Sequence, residues 1–216
     1  MRITIFTSLF IALLAGCLFA GPIDIVRLKY GGGGDWYNDP EGELNLLKEF
    51  SARTGTSVKA EKVSLSAADE DLFLHPFLYI TGHGEIKFTA REVERLRLFL
   101  VSGGFLYADD DYGMDVSFRR ELKRVFPESE LQELPPDFPL FTCYYDLSAG
   151  LPKIHEHEKG RPKAYGLFYQ GRLVVCYTFN TNISDGWTNN HNDPAEKREE
   201  AFKVGINILW YVLTRP

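Results

Sequence analysis

Basic residues are sparse where a nucleic-acid binder would need them. Lys and Arg number 24 against 30 Asp and Glu, a formal charge of −6, and the basic residues gather into no stripe. That excludes nucleic acid as the expected partner. No internal repeat or low-complexity tract interrupts the chain. An apolar content of 44% with 14% aromatics is that of a folded, globular protein and not of a disordered one. The apolar C-terminal run "VGINILWYVL" is too short to span a membrane and reads as core. Gly31–Gly34 lacks the G-x-G-x-x-G spacing and does not enter a helix directly, which argues against a phosphate cradle. Cysteine is rare, with three in 216 residues. Cys143 and Cys176 lie in apolar, strand-like runs with no His or helix start beside them to activate a thiolate. A disulfide between them and two separate buried thiols are both open readings.

Residues 1–20, "MRITIFTSLFIALLAGCLFA", carry one early Arg, an apolar run and then small residues, the pattern of a secretory leader. Two exits are open: cleavage after Ala20, or cleavage before Cys17. Leu14-Ala15-Gly16-Cys17 resembles a bacterial lipobox, in which Cys17 would be lipidated. The expectation is an exported protein, periplasmic or in the cell envelope, touching a membrane only through such an anchor. Residues 21–216 suit a single domain with a full-sized core.

Along that domain, apolar runs and helical periodicities alternate. Ile23–Leu28 predicts a strand, Pro40 onward a helix, Val58–Leu65 a strand, and Asp69–Leu74 a helical turn. Phe77–Thr81 is continuously apolar, the mark of a strand covered on both faces. Thr89 and Glu92 form a capping box for the next helix. Phe105–Ala108 predicts a strand, and Val116–Phe126 a helix that stops at Pro127. Phe141–Leu147 reads as extended. Tyr165–Tyr169 and Arg172–Phe179 flank the hairpin signal Gln170-Gly171, and a last helix covers about Pro194–Leu213. Alternation of this kind predicts an α/β fold, a mainly parallel sheet with helices on both faces.

In such a sheet the loops after the strands emerge on one edge, where ligands bind. Four of those loops are rich in polar and aromatic residues: "GGGGDWYND", "GHGE", "DDDYG" and "NTNISDGW". They nominate Asp35, Trp36, His83, Asp109, Asp110, Asp111, Asn182, Asp185 and Trp187 as ligand-binding candidates. The three aspartates are expected at the rim of a cleft, with Asp109 and Asp111 pointing one way and Asp110 the other. Each of them also reads as a solvated strand end or a helix cap. His155 and His157, two apart, would share one face of an extended segment and could share a divalent metal; a plain polar loop is the competing reading. His75 reads as positional, and His191 as part of a solvated loop.

"FLYITGHGEIKFT", "SGGFLYADDDYG", "GLPKIHEHE" and "YTFNTNISDGW" closely resemble a bacterial family labelled only as domain of unknown function 4159, over nearly all of the chain past the leader. The resemblance implies the class I glutamine amidotransferase-like superfamily and a flavodoxin-like three-layer sandwich. Relatives often carry signal peptides, and some are fused to or encoded beside membrane proteins, which implies an envelope protein as partner. Active amidotransferases place Cys on the turn after the strand that ends here in "ADDDYG", and His and Glu after a later strand. Here Asp110 or Asp111 stands near the nucleophile position and no His-Pro-Glu follows, so glutamine hydrolysis is not expected. The leading expectation is a domain without the Cys–His machinery that binds a small polar ligand, such as a sugar, or a protein partner. The alternatives are a metal-dependent hydrolase using His83 and Asp109–Asp111, and a subunit of an envelope assembly.

Overall fold

The structure, a computed structural model, describes residues 21–214. The leader and Cys17 lie outside the described residues. Seven strands form one mixed sheet: β1 (Val26–Lys29), β2 (Val63–Ser66), β3 (Phe77–Ile80), β4 (Phe105–Asp109), β5 (Gln132–Glu133), β6 (Lys163–Tyr169) and β7 (Arg172–Phe179). Their order is β2-β1-β3-β4-β7-β6-β5. The first five in that order are parallel, and β6 and β5 add an antiparallel edge. Among the described residues four α-helices accompany them: α1 (Gly42–Thr54), α2 (Ala90–Val101), α3 (Asp115–Val125) and α4 (Ala195–Thr214). None is long and apolar enough to cross a membrane.

Strand alternation divides the core in two. Phe77, Tyr79, Phe105 and Tyr107 face α1 and α4, while Leu78, Ile80, Leu106 and Ala108 face α2 and α3. Both faces of β3 and β4 are therefore covered, which is why those strands are apolar without a break. The capping box at α2 is present: Thr89 Oγ1 accepts from Glu92 N–H, and Glu92 accepts from Thr89 N–H. Gln170-Gly171 turns β6 into β7 with Gln170 at φ +50° and Gly171 at φ +80°.

Three segments differ from the sequence reading. β1 begins at Val26, three residues later than Ile23, and runs to Lys29. Val58 makes only an isolated bridge with Ile23, and β2 begins at Val63. Residues 141–147 are not a strand. Pro139–Phe141 is a 3-10 turn, and the following segment folds around Asn207 of α4. That buried amide donates to the carbonyls of Leu140 (3.0 Å) and Tyr145 (2.9 Å) and accepts from Tyr145 N–H (2.8 Å). A long-range partner has replaced the ladder that an extended segment would need.

Candidate functional site

The run Asp109-Asp110-Asp111 ends β4 inside the protein, not at a solvated rim: the three are 0%, 4% and 2% exposed. Burial of three carboxylates in succession is tolerated because they diverge. Asp109 accepts from Thr178 Oγ1 and from both the N–H and the hydroxyl of Ser184 (2.7 Å each). It thereby ties β4 to the 3-10 turn Ile183–Trp187 that follows β7. Burial pushes its carboxyl upward, and the Thr178 and Ser184 donors oppose that. Asp110 faces α3. Its Oδ1 accepts from Tyr112 N–H (3.2 Å) and Met114 N–H (3.0 Å). Burial raises it to about 6. Asp109 and Asp110 are thus structural anchors.

Asp111 is the one that meets other polar loops. Asn38 donates to its Oδ2, and Asn182 donates to its Oδ1 at 2.9 Å. His83 Nε2 lies 3.5 Å from Oδ2. The opposite ring nitrogen of His83 is 3.0 Å from Asp35 Oδ2, and its backbone N–H donates to Asp35 Oδ1. Half-exposed His83 therefore links solvent to Asp111, with its orientation set by Asp35. Close backbone approach makes this arrangement possible. Gly82 sits at φ +130°, where a Cβ would lie 2.4 Å from Tyr30 Oη and 2.9 Å from Asp35 Oδ1. A Cβ on Gly34 would lie 2.7 Å from the His83 carbonyl, so the glycine run serves contact between loops.

The β1–α1 loop is held from below. Arg27 of β1, 2% exposed, forms a buried ion pair with Glu43 of α1. It also donates to the carbonyls of Trp36 (3.2 Å), Asn38 and Asp39 (3.0 Å). This fixes Asn38 against Asp111 and aims Asp39 into the site.

Around Asp185 the polar groups converge most densely. His155 Nδ1 lies 2.7 Å from Asp185 Oδ2, and its Nε2 lies 3.1 Å from Asp193 Oδ1. His191 Nε2 lies 2.7 Å from Asp39 Oδ2 and 3.7 Å from Asp185 Oδ1. Two sets of three side chains each offer ligand atoms within 4.8 Å of one another: His155, Asp185 and His191, and Asp39, Asp111 and Asp185. Acceptors outnumber donors here. The single amide nitrogen of Asn182 faces Asp111 O, Asp111 Oδ1, His157 Nε2 and Asp185 Oδ2 with only two hydrogens to give. Asp185 is raised to about 7, first by burial. Asp111 is pushed upward by burial and then by the Asp185 charge. A family comparison bears on this edge, since the motifs that build it lie inside the matched span: the family described as Domain of unknown function (DUF4159) matches residues 24–213. The chain belongs to this family. No curated protein matches the chain.

Several residues of this DUF4159 domain stand elsewhere than the sequence suggested. Trp187 is core and presents no face to a ligand. It is 1% exposed, packs on Tyr79 and Tyr107 at ring distances of 5.6 and 6.0 Å, and donates its indole N–H to Ala201 O. The rings of His155 and His157 lie 6.1 Å apart with different partners: His155 meets Asp185, while His157 stacks on Tyr112 at 4.7 Å and its Nε2 lies 3.1 Å from Asn182 Nδ2. His75 pairs with Asp24 at 2.7 Å. Trp36 is half-buried, with Tyr37 packed edge-on against it. Cys143 and Cys176 are not joined. Cys143 Sγ donates to Asn207 O at 3.2 Å, and Cys176 is buried within β7 with its thiol pushed up to about 12 by burial.

Sequence reasoning missed Asp39, His191 and Asp193. Asp39 lies four residues past Asp35 in a loop already nominated, and His191 and Asp193 follow the nominated turn after β7. Pooling every His and Asp from the carboxyl-edge loops would have found all three.

Proposed function

We propose that the carboxyl edge is a divalent-metal site and that the protein is a metal-dependent hydrolase of a small polar substrate, of the sugar or polyol kind. The observation that carries this reading is the set His155, Asp185 and His191, whose ligand atoms lie within 4.8 Å of one another. Two imidazoles and a carboxylate suit a borderline divalent ion such as Zn²⁺. Asp193 behind His155 supports it, because a carboxylate on the far ring nitrogen orients a ligating histidine. A bound cation would polarise a substrate oxygen and lower the pKa of water at the site. His83 would carry the proton: it is half-exposed, oriented by Asp35, and its Nε2 faces Asp111. Exposed Tyr112 and Tyr37, next in sequence to Asp111 and Asn38, supply the aromatic surface on which a polar ring could lie.

The scaffold we infer is flavodoxin-like, within the amidotransferase-like superfamily. The parallel strand order β2-β1-β3-β4-β7 supports it, since it follows the 2-1-3-4-5 winding of that class. Export, by the leader pattern of residues 1–20, remains part of the proposal.

The test is a turnover screen of chromogenic esters, phosphodiesters and glycosides with metal-stripped protein, before and after Zn²⁺ or Mn²⁺. Turnover should require metal. His83→Asn should abolish it while metal binding persists, and His155→Ala with His191→Ala should abolish it together with the ion held by the imidazole set. Protein that binds neither ion would overturn the reading.

A further inference from the structure

We propose that this edge holds two cations and that Asp185 bridges them. This rests on the metal-site reading above. The first ion takes His155, Asp185 and His191. The second takes Asp39, Asp111 and Asp185. Both sets keep their ligand atoms within 4.8 Å of one another, and Asp185 belongs to both. Oxygen ligands lie about 2.0–2.6 Å from a divalent ion, so two ligands on one ion are at most about 5 Å apart. Each set fits that limit, and sharing one carboxylate suits the roughly 3.5–4 Å separation of paired metals in hydrolytic sites.

The oxygens of Asp185 argue for bridging independently. Oδ2 is taken by His155 at 2.7 Å. Oδ1 is fully buried with no hydrogen-bond partner. His191 Nε2 stands 3.7 Å from it, beyond hydrogen-bond reach. That nitrogen also lies 2.7 Å from Asp39 Oδ2, so the orphaned oxygen is aimed into the cluster. A buried carboxylate oxygen with nothing to accept from is costly, and a cation between Asp185 and its neighbours would satisfy it.

Charge points the same way. Asp39, Asp111 and Asp185 are 8%, 2% and 2% exposed. Among the described residues their ion-pair partners are histidines, with no Lys or Arg. Amides already orient the second set: Asn38 and Asn182 donate to Asp111, and Asn190 donates to Asp39 at 2.8 Å. Its all-oxygen donors suit a harder ion such as Mn²⁺ or Mg²⁺, against Zn²⁺ at the imidazole set.

The experiment strips the purified protein with chelator, reloads it with Mn²⁺ alone, desalts it and counts metal per chain by mass spectrometry. Electron paramagnetic resonance then reads the coupling between ions. The expected result is two ions per chain with a spin-coupled signal. Asp111→Asn should halve the count and leave an uncoupled six-line signal. Asp39→Asn is the second variant, should Asp111→Asn fail to show a native circular dichroism spectrum. One ion per chain in the wild type, lost in His155→Ala with His191→Ala but unchanged in Asp111→Asn and Asp39→Asn, would overturn the second ion and leave the single-ion reading intact. No ion in folded wild type would overturn both.

Discussion

Replacing Asp185 by Asn removes one charge from the centre of the cluster and keeps its shape. Two ionised carboxylates with oxygens 4.8 Å apart repel by about 3.5 kcal/mol at an effective dielectric of about 20. Asp185 faces two such neighbours, Asp39 and Asp111. The metal-free protein does not bear the whole repulsion, because burial raises both Asp185 and Asp111 and the Asp185 charge raises Asp111 further, so that part of the cluster stays protonated. Loss of the pairing with His155 offsets part of the relief as well. A net gain of about 1–2 kcal/mol in chelator at pH 8 remains, and for a chain of this size that is roughly 2–8 °C in melting temperature.

The pH dependence has a definite sign. A carboxyl raised in the folded state stabilises fully below its unfolded value, 3.8, and that contribution is lost as pH rises through about 7. Metal-free wild type should therefore melt higher at pH 5 than at pH 8.5, and Asp185→Asn should flatten the difference. Metal inverts the comparison. At about 100 times its dissociation constant a bound ion adds about 2.7 kcal/mol to the wild type and nothing to a variant that cannot bind it. Scanning fluorimetry in chelator and in Mn²⁺ or Zn²⁺ reads all four states. An Asp185→Asn protein that melts lower than wild type in chelator at pH 8, with equal metal shifts for the two proteins, would refute the reasoning.

Arg27→Ala leaves Glu43 buried and unpaired and releases the loop of Asn38 and Asp39; a loss of about 3–5 kcal/mol, read by urea unfolding, should accompany weaker metal binding. A double change to Arg27→Met and Glu43→Leu should recover most of the stability and none of the affinity. Asp110→Ala should cost about 1 kcal/mol through the lost turn cap, and Asp110→Asn within about 0.5 kcal/mol of nothing, both read by thermal melts with metal binding unchanged. Cys176→Ala should cost about 1 kcal/mol in stability and leave metal loading and turnover as they were, since the thiol is shut inside β7.

The α/β architecture was legible because its signals are local. Continuous apolar runs at Phe77–Ile80 and Phe105–Ala108, the Thr89 box and the Gln170-Gly171 turn each specify an element within a few residues. The edge that gathers the polar loops follows from strand direction alone. Strand β5 was not legible: it is two polar residues, Gln132 and Glu133, defined only by pairing with Gly166 and Tyr165. The segment after Phe141 was misread because Asn207, more than sixty positions on, satisfies its backbone. In the site, His83 and Asp111 were found by being next to glycine-marked strand ends. His191 was not, because its loop reads as solvent-facing until Ile154 N–H pairs with Thr181 O and brings His155 beside it.

The run of three aspartates shows how a strand end can be made to serve both fold and chemistry. Side chains at successive positions of an extended chain diverge. Asp109 is consumed by Ser184 and Thr178, which places the turn carrying Asp185. Asp110 is consumed by the backbone that starts α3. Both carboxylates have their charge answered by donors of the protein itself. Asp111, between them and the polar loops, receives only neutral amides and a half-exposed imidazole. Asp185, placed by Asp109, keeps one oxygen with no donor at all. The fold thus satisfies its anchoring carboxylates and leaves Asp185 Oδ1 without a donor where Asp39, Asp111 and Asp185 meet, and that oxygen, buried and already oriented among carboxylates, is what a cation would be drawn to.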